Sequence, residues 1–391
     1  MPLTRRRLFA EMFEPTHHEW LSARGHEAMT AGHVEAQMAA PGANLIRISS
    51  NENPLGPGRH VVDAITATFN EAARYPFNAT KKEGTLISAL AQKFGAKNDQ
   101  IVLGPGSGEL LTHAVRAFTS PTKPLVTAWP SFENPRVTAK KIGTPVREVG
   151  FDAGLKIDLA KMVEASKGAG LVFFCNPNNP TATAHGKTAV ADMVKAIRAA
   201  SPDTVILIDE AYHDYVTDPS YVSAIDLALA TPNVFVTRTF SKAYGMAGLR
   251  AGYAIGHAQA IKAVSAFKMP YGLGTLTLAG AVNAFANQAH IDSERARNTE
   301  VRAFTTKAFA DLGVTGTDSQ TNFLFMEIKR PAAGFRDACR KAGVLVGRDF
   351  PPFETKYCRV SIGTMDEMQR AVAVFKTVLG GATSTSSQQG R

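Results

Sequence analysis

Residues 170–212 read GLVFFCNPNNPTATAHGKTAVADMVKAIRAASPDTVILIDEAY. Two short apolar runs, LVFFC at 171–175 and VILI at 205–208, are bounded by Gly, Asn, Pro or acidic residues and read as buried strands. Between them, ADMVKAIRAA at 191–200 repeats its apolar residues at helical spacing. The same alternation extends outward in both directions. Upstream lie QIVLG (100–104), ELLTHAVRAF (109–118), PLVTAW (124–129), a helix-like stretch over 132–142 and TPVREVGF (144–151). Downstream come NVFVTRTF (233–240) and AGYAIG (251–256). The pattern predicts an α/β fold whose mostly parallel central sheet is covered by helices on both faces. In such folds ligands sit beyond the carboxyl ends of the strands.

The chain has 391 residues, 45% hydrophobic and 20% charged, which is enough for about two domains. Its 43 Lys and Arg against 34 Asp and Glu give a formal charge of +9. No basic block with interleaved aromatics is present, so small anions are favoured as partners over nucleic acid. Cys175, Cys339 and Cys358 are widely spaced and contain no CxxC pair, which argues against a disulfide framework or a zinc site and for buried thiols. No apolar run approaches the roughly 20 residues of a membrane span, so no membrane partner is expected. The start, MPLTRRRLFA, is similar to a twin-arginine export signal, but the charged, histidine-rich segment after it lacks the apolar region. Residues 1–43 therefore read as a basic arm or a vestigial signal, and the cytoplasm is the favoured compartment. His17, His18, His26 and His33 have no ligand spacing, and no metal is expected. The polar tail, 381–391, reads as disordered.

Candidate site residues fall where the strands end. Ser107 and Gly108 open a helix straight after QIVLG, so their backbone amides can hold an anion, although an ordinary cap reads the same way. Asn179 lies in CNPNNPT, which is also a plain turn sequence. Asp209 ends an apolar run, where an unpaired carboxylate is costly and calls for a cationic partner. Tyr212 is spaced to face the same side. Lys242 follows the next strand in RTFSKAYGMAGLRAGY (238–253), and a lysine drawn into such a site can become a nucleophile. Together these positions suit a ligand with a phosphate, a group wanting a carboxylate and a carbonyl able to form a Schiff base. Pyridoxal 5'-phosphate has all three.

The ordered set NENPLGP, NPNNPT, DEAY, SKAYGMAGLRAGY and RVSIGT resembles the fold-type I, class I/II pyridoxal-phosphate-dependent aminotransferases, most closely the histidinol-phosphate aminotransferases. The resemblance runs from about residue 47 to 367. It implies that Lys242 carries the Schiff base to the cofactor and shuttles the proton, and that Asp209 pairs with the pyridine nitrogen. It also implies that Tyr212 and Asn179 bond the ring hydroxyl, that Ser107, Gly108, Ser241 and Arg250 bind the phosphate, and that Phe132 stacks on the ring. Tyr75 reaches the neighbouring subunit's phosphate in the family, which implies a homodimer with shared active sites. Arg359 corresponds to the arginine that grips the substrate carboxylate and Arg348 to one used for a substrate phosphate; Asn53 is placed near the substrate.

The implied partners are an amino donor and a 2-oxo acid acceptor, the favoured pair being histidinol phosphate and 2-oxoglutarate in amino-acid biosynthesis. Ala182, where the family usually has glycine, and AWPSFENP, in place of the more usual PTYxMY, suit an aromatic or broad-specificity aminotransferase equally well. A pyridoxal-phosphate decarboxylase or oxidase and a noncatalytic ligand-binding relative are the other readings. The implied layout is a cofactor domain over 75–285 and a smaller domain built from 44–74 and 286–380.

Overall fold

In the computed structural model, the structure describes residues 45–75 and 77–380. The expectations for the arm at 1–43, for Asn44 and for the tail at 381–391 lie outside the described residues.

Seven strands form the main sheet: β2 (Ile101–Gly104), β3 (Leu125–Ala128), β4 (Val146–Val149), β5 (Leu171–Cys175), β6 (Val205–Asp209), β7 (Val234–Thr239) and β8 (Gly252–Gly256). Their order is β2-β8-β7-β6-β5-β3-β4. β3 to β7 pair in parallel, whereas β8 runs antiparallel to both of its neighbours. The connection from β7 to β8 holds only a 3-10 turn, Ala247–Leu249, instead of the long crossover that a parallel pair needs. Both faces of the sheet are covered. Val172, Phe174, Ile206, Ile208 and Val236 join one apolar cluster, while Leu171, Phe173, Val205, Leu207 and Phe235 join another. This period-2 partition is why the strands read as unbroken apolar runs.

The helices show the complementary period. In Lys187–Ala200 the buried residues are Val190, Met193, Val194 and Ile197, one face of a helix.

A third apolar cluster surrounds shorter strands: β1 (Ile46–Arg47), β9 (Thr315–Gly316), β10 (Phe323–Glu327), β11 (Val344–Leu345) and β12 (Tyr357–Ser361). β1 and β11 pair in parallel, and β10 is the centre of an antiparallel sheet with β12 and β9. The register sets Phe325 opposite Arg359. Among the described residues, no helix is long and apolar enough to cross a membrane.

One glycine fixes how the main sheet meets its first helix. A Cβ on Gly252 would lie 2.4 Å from Ser107 N and 2.7 Å from the Gly106 carbonyl carbon, so the start of helix Ser107–Phe118 rests directly on β8. Gly252→Ala is therefore expected to destabilise the chain by about 1–3 kcal/mol through overpacking. Denaturant melts against the wild type check this, and an unchanged midpoint would show that the helix start yields without cost.

Candidate active site

Because β8 is antiparallel, its first residues share an edge of the sheet with the ends of β2 and β7: Gly252 is in register with both Gly104 and Thr239. The candidate phosphate residues gather there. Gly106 caps the helix with φ 77°, leaving the first-turn amides of Ser107 and Gly108 without intrahelical partners. Arg250, in the left-handed region at φ 54°, crosses beside that turn. Its Nη1 donates to Ser241 Oγ at 3.2 Å and to Ala247 O at 2.9 Å, and Nη2 lies 3.5 Å from Pro105 O. A Cβ on Gly106 would meet the end of the Arg250 side chain, and the φ of 77° at Gly106 is one that glycine adopts without strain. Thr239 Oγ1 donates to Ser241 Oγ at 3.0 Å and orients it.

Next along the edge, Cys175, Asp209 and Thr237 are register partners across β5, β6 and β7. Asp209 is 1% exposed. It accepts from Thr237 Oγ1 at 2.8 Å, with the Cys175 thiol 4.0 Å from its other oxygen, and among the described residues it pairs with no cation. Burial pushes its carboxyl up to about 7, with Glu210 adding to the rise and the Thr237 hydroxyl and Lys242 opposing it. Its neighbour Glu210 shows the contrast. That buried carboxylate accepts from Arg238 Nε at 3.0 Å and Nη2 at 2.8 Å, and from Ala224 N at 2.6 Å.

Lys242 approaches the same space from the turn after β7. Its Nζ is 3.5 Å from Ser50 O and 5.6 Å from the centre of the Tyr212 ring. Burial, helped by the Arg359 and Arg250 charges, lowers its ammonium to about 8, while Glu52 and Asp209 act against them. Tyr212 OH accepts from Asn51 Nδ2 at 3.1 Å, and burial raises this phenol. The buried Arg359 guanidinium donates to Asn179 Oδ1 and to Ser49 O, both at 2.7 Å. Its Nε has no partner among the described residues, and burial lowers its pKa to about 10.

Four expected residues stand differently. Asn53 is committed to backbone: its Nδ2 donates to Ala243 O at 3.0 Å and its Oδ1 accepts from Leu55 N at 2.9 Å. That amide fastens the NENPLG segment to the lysine turn. Arg348 is ion-paired with Glu133. Phe132 is half-buried against the cluster of Leu110, Leu111 and Phe173. Tyr75 is 78% exposed, its ring 6.3 Å from that of Tyr271.

The structure also adds Asn51 and Thr237, which carry no role in the sequence reading. Asn51, at φ 55°, bonds Tyr212, accepts from Ser361 Oγ at 2.8 Å on its side chain and donates its amide to the same hydroxyl. Its place in the quoted NENP motif was the available signal. Thr237 stands in a β-branched run and gave none.

The arrangement offers an anion cradle, a buried carboxylate awaiting a cation, an amine of lowered basicity and a buried guanidinium with donor capacity to spare. The sequence model of the family "Aminotransferase class I and II" matches residues 43–375. The chain belongs to that family.

This aminotransferase is 34% identical over 339 residues to the histidinol-phosphate aminotransferase of Symbiobacterium thermophilum, covering 86% of this chain and 91% of the relative. It is also 34% identical over 347 residues to the aromatic amino acid aminotransferase of Thermobifida fusca, covering 87% and 92%. The crystal structure of the histidinol-phosphate aminotransferase of Sinorhizobium meliloti, in complex with pyridoxal-5'-phosphate, matches with a TM-score of 0.79. It covers 92% of this chain and 99% of that one, and at 23% identity the likeness is one of fold. The aminotransferase uses pyridoxal 5'-phosphate. The residues present fit that group: Asp209 lacks a cation, and the helix start, Ser241 and Arg250 lie together.

The raised Asp209 carboxyl makes a prediction for the cofactor-free protein. Between pH 3.8, the ordinary value, and about 7, the folded state keeps a proton that the unfolded state has lost. This group's contribution to stability therefore falls as pH rises through that window and is constant above it. Cofactor-free Asp209→Asn should be more stable than cofactor-free wild type at pH 8 and nearly equal at pH 4. Melts at the two pH values read the difference, and a gap that does not widen with pH contradicts it.

Proposed function

We propose that this chain transfers the amino group of histidinol phosphate to 2-oxoglutarate. The observation that carries the reading is the convergence of Lys242, with its ammonium lowered to about 8, the cation-free Asp209 and the buried Arg359 on one space. The relatives named histidinol-phosphate aminotransferase support the choice of donor.

Bound pyridoxal phosphate supplies an aldehyde for amine capture and a ring that withdraws electrons. With its ammonium lowered to about 8, Lys242 loses its proton more readily than an ordinary lysine, and its Nζ would take the donor's Cα proton and return it two atoms away, a 1,3 shift. Asp209 receives the ring nitrogen's N–H, and Tyr212 and Asn179 hold the ring hydroxyl oxygen. Ser107, Gly108, Ser241 and Arg250 hold the phosphate, and Phe132 covers the ring. Arg359 binds the anionic group of either substrate in turn, with Arg348 as a second guanidinium beside it. In this proposal the chain acts as a homodimer, with the exposed Tyr75 completing the phosphate site of a second copy. Residues 75–285 form the cofactor domain, and 44–74 with 286–380 form the smaller one; the separate apolar cluster around β10 and β12 supports that layout.

A second reading, an aromatic amino-acid donor, is favoured by the Arg348–Glu133 pair, which leaves Arg359 as the guanidinium free of a carboxylate, and by the Phe323 and Phe350 rings 5.5 and 4.8 Å from it.

Single-turnover absorbance changes of the cofactor-loaded protein decide between them. Faster conversion by histidinol phosphate than by phenylalanine, with glutamate also active, is the expected outcome; the reverse order transfers the assignment to aromatic donors. Lys242→Ala should cost at least roughly 10²–10⁴-fold in turnover, the usual worth of a positioned base, with an unchanged melting profile for the cofactor-free protein. Retained turnover would remove Lys242 from its role.

A further inference from the structure

Glu133 directly follows Phe132 and is the N-cap of helix Asn134–Lys141, but its side chain makes no capping bond to the helix's own amides. The carboxylate pairs instead with Arg348 Nη2, across the molecule from the segment after β11. Arg348 Nη1 donates to Asp349 O at 3.0 Å, and its guanidinium carbon lies 4.5 Å from the centre of the Phe350 ring. The Arg359 guanidinium lies 4.8 Å from that same ring. One phenyl ring thus carries both arginines. Arg359 is buried, whereas the Glu133 and Arg348 side chains are 23% and 26% exposed, at the solvent side of the set. Both of those charges also act on the Arg359 guanidinium.

We propose that Glu133 is a charge-selecting residue of the substrate pocket: its carboxylate occupies Arg348, so that a ligand's second negative charge binds there only by displacing it. This rests on the reading of Arg359 as the arginine that holds the substrate anion. A ligand with one anionic group uses Arg359 and leaves the pair intact. A dicarboxylate, or a phosphate monoester dianion reaching both guanidiniums, competes with Glu133. Partly exposed ion pairs are weak, so the competition lowers affinity for dianions without excluding them. Such competition suits an enzyme that accepts donors of different charge at one site.

The test is the affinity of two unreactive ligands for the cofactor-loaded protein, measured by calorimetry: glutarate, a dianion, and 3-phenylpropanoate, a monoanion. Glu133→Gln keeps the size and a hydrogen-bonding group but removes the charge. It should tighten glutarate about two- to fivefold, leave 3-phenylpropanoate within about 1.5-fold, and lose the gain when Arg348→Gln is added. Arg348→Gln alone, which does not depend on the first variant folding, should weaken glutarate more than 3-phenylpropanoate. Equal effects on the two ligands, or none, overturn the proposal and make the pair a structural clamp. Binding needs no turnover, so an enzyme that fails to convert histidinol phosphate sinks the proposed donor while this comparison still reads the pocket's charge preference.

Discussion

Burying the Asp209 carboxylate at the end of an apolar strand costs several kcal/mol unless hydrogen bonds and a cation meet it. Among the described residues it is met by a hydroxyl from Thr237 and a distant thiol, with no ion-pair partner. One residue on, Glu210 receives a two-pronged arginine and a backbone amide, so the fold is able to satisfy a buried carboxylate fully. The contrast between neighbours marks Asp209 as completed by a ligand and Glu210 as part of the framework. In the proposed function, a cofactor whose ring nitrogen carries a proton would supply the missing positive charge.

The other side chains balance the opposite sign. Lys242 is opposed by the charges of Arg250 and Arg359 and favoured by those of Asp209 and Glu52, and the repulsion, added to burial, lowers the lysine ammonium. In the proposed function, a phosphate at the helix start and an anionic group on Arg359 would relieve that repulsion. The anions would then occupy a region that is electrostatically unfavourable without them, and the lysine gains its lowered basicity from the same arrangement.

The main sheet was legible because strands buried on both faces produce uninterrupted apolar runs, as in LVFFC and VILI, and because Lys187–Ala200 repeats its apolar residues at helical spacing. The motif residues at strand ends were legible for a related reason, since position along a parallel strand fixes which edge a side chain reaches. What stayed hidden depends on register or on distant parts of the chain. Thr237 looks like any β-branched strand residue until β6 and β7 are aligned and it falls opposite Asp209. Asn51 meets Ser361 across 310 positions, and Glu133 meets Arg348 across 215, separations that leave no spacing to read. Asn53 shows the converse limit. Its motif is plain in the sequence, yet the direction of its amide follows from the turn at Ala243.

The short antiparallel return from β7 to β8 has a mechanical consequence. Lys242 and Arg250 both sit on that return, whose two ends are held in register at Thr239 and Gly252. The amine and the phosphate anchor are thus two points on one stiff hairpin. Arg359 stands on a separate sheet, paired with β10. Any shift of that sheet against the larger one changes the span from guanidinium to amine while the span from amine to phosphate anchor stays constant. Such a shift would adjust one end of the site and leave the other undisturbed.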